Sequence, residues 1–263
     1  MRRRFFVERF DAADADEAGR RAAGLGGVAG VGGAATLRGE PAHHLGRVLR
    51  AQVGELYELS DGSAVWLGRV ERVEKDAVEF RLVEPVAVQE AKLRTTLLLS
   101  IVKFDRFEWC LEKATELGAV EIVPLAAARS EKALVAAAAK RAARWEKILL
   151  ESAQQARRLR PPVLRETVRS DQAFAAEQRA ESLHQNGYKV LLSERPSAPK
   201  LKAVWTASAT DHCELAFGPE GGWSDEELAA ARAAGFIEAS LGSSILRTET
   251  AVIAALAVVN FAL

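Results

Sequence analysis

The stretch ELAFGPEGGWSDEELAAARAAGF, Glu214 to Phe236, holds the residues best suited to grip a ligand. A short apolar run enters Gly218-Pro219-Glu220-Gly221-Gly222, and a helix follows at once. Pro219 presets the turn, and the glycines admit backbone angles and close approaches that a Cβ blocks. Ser224 with Glu227 three residues on has capping-box spacing, so the helix starts there and the strand before it ends in exposed backbone. A second stretch, ASLGSSILRTETAVIAAL, runs from a strand through Leu241-Gly242 to a helix beginning near Thr248. In open α/β sheets, ligands bind outside the carboxyl ends of the strands. Main-chain N–H and C=O groups from two such loops suit an adenine edge, which offers both donors and acceptors. The same spacing also fits two tight strand-to-helix turns with no ligand.

The elements that must position these loops fall into two groups. From Phe5 to about Pro85 the pattern is short strands and turns: FFVER, two strands around the Asp61-Gly62 hairpin signal, and DAVEFRLVEP. One short helix, PAHHLGRVLR, is expected to begin at Pro41. From Thr95 onward, apolar strands alternate with amphipathic helices, the signature of an α/β domain with a parallel sheet. A long helix is expected over residues 136–160, ended by Pro161-Pro162. The boundary falls within residues 86–92, giving units of 1–88 and 89–263.

Composition narrows the function classes. The chain has 263 residues and no net charge, but eleven Lys or Arg stand against four acidic residues between Arg129 and Arg169. Such a run reads either as a solvated helix face or as a phosphate-contacting surface. There is no run of about 18 apolar residues and no apolar segment in MRRRFFVERFD, so neither a membrane span nor a secretory signal is expected, and the chain reads as cytoplasmic. Cys110 and Cys213 are read as reduced core residues, and no metal site is expected. GLGGVAGVGGAA matches the dinucleotide fingerprint loosely through Gly24, Gly26 and Ala29, but lacks the strand before it and the helix after it. The phosphate loop of nucleotide hydrolases is absent from the sequence as well. His43 and His44 are adjacent and point to different helix faces, so they read as structural or surface residues. Trp109, Trp145 and Trp205 read as core or interface anchors.

FGPEGGWSDEEL followed by LGSSILRTETA resembles the cofactor end of the SPOUT methyltransferases. RFFVER, HHLGRVLRAQVGELYELSDG, KFDRFEWCLEKATELGAVEIVPL and ESAQQARRLRPP are similar, in the same order, to segments of the RsmE family of 16S rRNA uridine-N3 methyltransferases. The resemblance implies a PUA-like RNA-binding β-barrel at residues 1–88. It implies a SPOUT-type parallel sheet with a carboxyl-terminal trefoil knot at 89–263, binding S-adenosylmethionine and forming a homodimer. The implied cofactor contacts are Leu192, Phe217, Gly218, Pro219, Glu220, Gly221, Gly222, Leu241, Gly242, Ile245, Leu246, Arg247 and Thr248. For the reaction, Arg247 is expected to stabilise the uridine anion, and Glu249 or Glu220 to act as base; the carboxylates equally suit a helix-end or loop-ordering role. N3 lies on the Watson–Crick edge, so the base must be splayed out. Arg3, Arg4, Arg47, Arg50, Gln155, Arg158 and Arg160 are the expected contacts to 16S rRNA of the small ribosomal subunit. Gln154 and Arg157 depart from the family, which often has an acidic and a small residue there.

Overall fold

The computed structural model describes residues 3–12, 30–88, 93–175, 187–205 and 211–261. The Gly24-to-Ala29 stretch and the 88/89 boundary fall in or against undescribed segments. The chain divides into two compact units: Met1–Glu90 with Ala153–Arg160, and Ala91–Ser152 with Pro161–Leu263.

In the first unit, β1 (Arg4–Phe6), β2 (Ala34–Arg38), β3 (Leu56–Ser60), β4 (Val65–Val73) and β5 (Ala77–Pro85) form one sheet in the order β1-β3-β4-β5-β2. β1 runs parallel to β3, and the other pairs are antiparallel. Asp11, in the segment after β1, and Ala34 at the start of β2 exchange both backbone hydrogen bonds, at 2.9 and 3.0 Å, an isolated bridge that draws the two edges of the sheet toward each other as in a barrel. Alternate residues such as Ala35 and Leu37, or Val78, Phe80 and Leu82, turn inward to its core. The short helix α1 (Gly39–His43) begins two residues before Pro41 and passes into a π-helical turn over His44–Val48. Pro41 is tolerated at the third helical position because that N–H has no intrahelical partner in any case.

The second unit is a parallel sheet built from β6 (Arg94–Ser100), β7 (Glu121–Ala126), β8 (Val163–Leu164), β9 (Val168–Arg169), β10 (Tyr188–Leu192), β11 (His212–Phe217) and β12 (Ile237–Ala239). The order is β12-β10-β11-β6-β7-β8, with β9 also on β7. Leu97 and Leu99 point to one face, Leu98 to the other, and each face carries its own core. The helices are α2 (Phe104–Glu116), α3 (Lys132–Ala137), α4 (Ala142–Gln155), α5 (Ser170–Phe174), α6 (Leu201–Val204), α7 (Asp225–Ala233) and α8 (Thr248–Phe261). α2 packs on α8, and Trp145 fills the core against Phe107 and Phe104.

The expected continuous helix over 136–160 is instead α3, a 3-10 turn over Ala138–Arg141, and α4. It stops at Gln155, well before the proline pair. Arg157 adopts φ +52°, Arg158 N–H bonds to Ala153 O at 2.9 Å and Arg157 N–H to Gln154 O at 3.3 Å. That is a Schellman cap with arginine where glycine is usual, at an intrinsic cost of about 1 kcal/mol. The first unit secures this bend. Arg4 donates to Arg157 O, Ser60 Oγ donates to Leu159 O at 2.5 Å, and the Arg157 guanidinium lies 3.5 Å from Glu58.

Arg4 therefore corrects one expectation. It is 4% exposed, and its Nε and Nη2 both donate to Glu58 Oε2, at 3.1 and 2.9 Å. Buried charge requires a partner, so this guanidinium holds the barrel and is not presented to phosphate. Arg3, Arg47, Arg50, Gln155 and Arg160 are exposed and Arg158 is half-buried. Burial, and then the nearby Arg160 charge, lower Arg158 to about 10.

Two outcomes are expected. Arg4→Met leaves buried Glu58 with only Arg157 beside it and lowers unfolding stability by about 3 kcal/mol in denaturant titrations, whereas Arg3→Met stays within about 0.5 kcal/mol of the parent. Burial, and then the Glu249 charge, push the Cys110 thiol up to about 12, and burial raises Cys213 also. Neither thiol should react with a disulfide reagent at pH 8 until the protein is unfolded.

Candidate cofactor site

Backbone register brings three strand ends level: Leu192 pairs with Phe217 on one side and with Ala239 on the other. Just beyond this row lies a cavity of about 430 Å³, lined by the segments after β10, β11 and β12 and by the start of α8. It is of a size that takes a small organic ligand.

The wall after β11 is the glycine turn. Gly222 N–H bonds back to Pro219 O at 2.9 Å, and Gly222 has φ +70°, a region in which a side chain is strained. A Cβ on it would also stand 2.5 Å from Glu194 Oε1, and one on Gly218 would stand 3.1 Å from the Trp223 ring. Trp223 Nε1 donates to Leu192 O at 2.9 Å, locking the turn to the end of β10. Arg129 Nη1 donates to Gly221 O at 2.9 Å.

The helix after the turn starts with the expected capping box: Glu227 N–H bonds to Ser224 Oγ at 3.2 Å, and Ser224 N–H to Glu227 Oε2 at 2.9 Å. Glu227 does more than its spacing implied. It is buried, and its Oε1 accepts from Ala128 N–H at 2.8 Å and Ser170 Oγ at 2.6 Å. One carboxylate thus gathers the loop after β7, the start of α5 and the start of α7.

The opposite wall is residues 241–248. Thr248 Oγ1 lies 3.5 Å from Gly218 O, tying the two loops together. Ile245 is 83% exposed and Leu246 is also exposed. Of the residues expected to hold a cofactor, Leu192, Phe217, residues 218–221, Leu241, Gly242 and residues 245–248 all line this cavity. Gly222 does not; it stands behind the wall, against Glu194.

Arg247 and Glu249, two residues apart, have opposite surroundings. Arg247 lines the cavity and is exposed. Glu249 is outside the lining and 5% exposed, with Oε1 3.9 Å from Arg106 Nε and Oε2 without a hydrogen-bond partner. Arg106, in the first turn of α2, also pairs with Glu220. Arg106 and Glu194 line the cavity, yet no local spacing in the sequence marks them. Trp223 had a signal, since it directly follows the glycine pair. Trp145 and Trp205 are core residues, while Trp109 is 45% exposed.

The residues present suit an adenosyl-bearing cation. A turn with glycine at 218, 221 and 222 presents main-chain groups, and the acidic side chains Glu194 and Glu220 line the same cavity. Among the described residues, no group of three or more His, Cys, Asp or Glu could hold a metal ion, and no helix is long and apolar enough to cross a membrane.

Known proteins agree with this geometry. A family model for an RNA methyltransferase domain matches residues 89–260, and one for an RNA methyltransferase PUA domain matches residues 37–83. Ribosomal RNA small subunit methyltransferase E of Synechocystis sp. is 34% identical over 228 residues, covering 86% of this chain and 72% of that protein. Its namesake in Bacillus subtilis is 28% identical over 240 residues, covering 86% and 89%. The crystal structure of the Neisseria gonorrhoeae enzyme of that name bound to S-adenosylmethionine superposes with a TM-score of 0.81 at 28% identity, covering 99% and 98% of the chains. A Legionella pneumophila methyltransferase structure with the same bound cofactor gives 0.76 at 29%, covering 100% and 98%.

The two glycines should behave oppositely on substitution. Gly222→Ala meets a positive φ and must displace the Glu194 carboxylate, and should lose about 1 kcal/mol of stability. Gly242→Ala, where a Cβ meets nothing within 4 Å, should melt with the parent protein in calorimetry.

Proposed function

This chain belongs to the RNA methyltransferase family that includes ribosomal RNA small subunit methyltransferase E, and on that premise we propose that it methylates N3 of one uridine in 16S rRNA of the assembled small ribosomal subunit. The methyl donor is S-adenosylmethionine. The observation that carries this reading is the glycine-rich turn beside the level ends of β10, β11 and β12, with a cavity of cofactor size directly outside them.

S-adenosylmethionine supplies a methyl group on a sulfonium, so transfer to nitrogen is a displacement that needs alignment. The backbone of residues 218–221 and of the 241–248 loop is suited to hold the adenosyl end. Uridine N3 gives up its proton to water at the exposed mouth of the cavity, and the charge left behind spreads to the flanking carbonyl oxygens. Arg247, exposed at the cavity, offers a permanent cation with several donors for that charge. The burial of Glu249 and its approach to Arg106 support a positioning role in place of the proton-accepting one. Through Arg106, Glu249 and Glu220 brace α2, the glycine turn and α8 against one another.

In the first unit, exposed Arg3, Arg47, Arg50, Gln155 and Arg160, with half-buried Arg158, are assigned to rRNA phosphates. The placing of β10 between β11 and β12, with α8 following, supports a carboxyl-terminal trefoil knot. Trp109 on α2 and Val258 on α8 remain exposed on two helices that pack together, which supports a homodimer through this face.

Purified protein given labelled S-adenosylmethionine and small subunits lacking the modification should yield 3-methyluridine on digestion and mass spectrometry. Label in another nucleoside, or transfer to naked rRNA alone, would sink the substrate assignment. Arg247→Ala should lower kcat about 100-fold or more while cofactor affinity changes little. Light scattering should report twice the chain mass for the parent and a single chain for Trp109→Asp.

A further inference from the structure

The glycine turn and the 241–248 loop offer main-chain groups, but a ribose presents two neighbouring hydroxyl donors that call for a paired acceptor. Two acidic side chains line the cavity, Glu194 and Glu220. Glu220 is engaged by Arg106. Glu194 makes no hydrogen bond or ion pair with another described residue.

Its backbone is held on both sides. Ser193 N–H bonds to Ala239 O at 2.9 Å, and Arg195 N–H bonds to Ser193 Oγ at 3.2 Å. The Glu194 carboxylate rests against Gly222, in space that a Cβ there would take.

We propose that Glu194 is the specificity-determining residue for the ribose diol of the cofactor, and that residue 222 is glycine partly to seat this carboxylate. A carboxylate accepts two O–H donors at once, and charge-assisted bonds of that kind are the strong ones. The placement parallels dinucleotide-binding doubly wound sheets, in which an acidic side chain beyond a strand end accepts from a nucleoside ribose. The inference rests on the cavity taking S-adenosylmethionine.

The alternative partner for Glu194 is the ammonium of the methionine moiety, and suitable probes separate the two. Affinities of the parent and Glu194→Gln would be measured by calorimetry for S-adenosylhomocysteine, its 2′-deoxy counterpart, and 5′-methylthioadenosine, which keeps the ribose but lacks the amino acid. The substitution should weaken S-adenosylhomocysteine and 5′-methylthioadenosine alike, each about tenfold, and weaken the deoxy compound, which keeps only the 3′ hydroxyl, by distinctly less. Glu194 is exposed, so the variant should melt with the parent. Weakening of S-adenosylhomocysteine alone, or of neither compound, would overturn the ribose assignment while leaving the cofactor reading intact. Failure of the parent to bind any of the three would overturn both.

Discussion

Three parallel strands end at one level because their backbones are hydrogen-bonded in register, and the cofactor end of the protein depends on that row. Leu192, Phe217 and Ala239 cannot shift along the sheet without breaking ladders on both sides of β10. Each of the segments leaving the row is then held by a bond to a neighbour. Trp223 reaches Leu192, Thr248 approaches Gly218, and Ser193 takes the carbonyl of Ala239. The cavity is thus bounded by backbone that has few ways to move, which lowers the ordering cost of binding a flexible ligand.

Charge is used differently in the two units. In the first, the Arg4–Glu58 pair is sequestered and fixes the path of the chain through Arg157. In the second, Arg106 faces the cavity and touches carboxylates from two distant segments. Both arginines lie in segments that resemble the family, but only the fold separates the one inside the barrel from the one at the ligand. The departure at Arg157 also acquires a reason: this side chain tolerates the left-handed cap because Glu58 lies beside it and Arg4 holds its carbonyl.

Much of the site was legible in the sequence because its determinants are local. The glycine turn, the Ser224–Glu227 box and the strand-to-helix spacing at Leu241–Thr248 depend on residues within a few positions of one another. What was not legible depends on pairings between remote segments. Arg106 meets Glu220 only once β6 and β11, far apart in the chain, are paired, and Glu194 meets Gly222 across the ends of β10 and β11. The fold class was readable from the switch between period-two strands and amphipathic helices. The end of α4 was not, because a Schellman cap normally carries glycine and here carries arginine.

The strap formed by residues 153–160 has a consequence for the order in which the molecule is made. The barrel's five strands are complete by residue 85, yet the carbonyls that take up Arg4 and Ser60 belong to residues 157 and 159. A ribosome synthesising this chain must therefore deliver β6, α2, β7, α3 and all of α4 before Arg4 and Ser60 can reach these carbonyls. The usual vectorial sequence, in which the amino-terminal unit finishes first, cannot apply here. The barrel has to wait for a piece encoded well inside its successor, so its last polar contacts are made only after α4 has been synthesised.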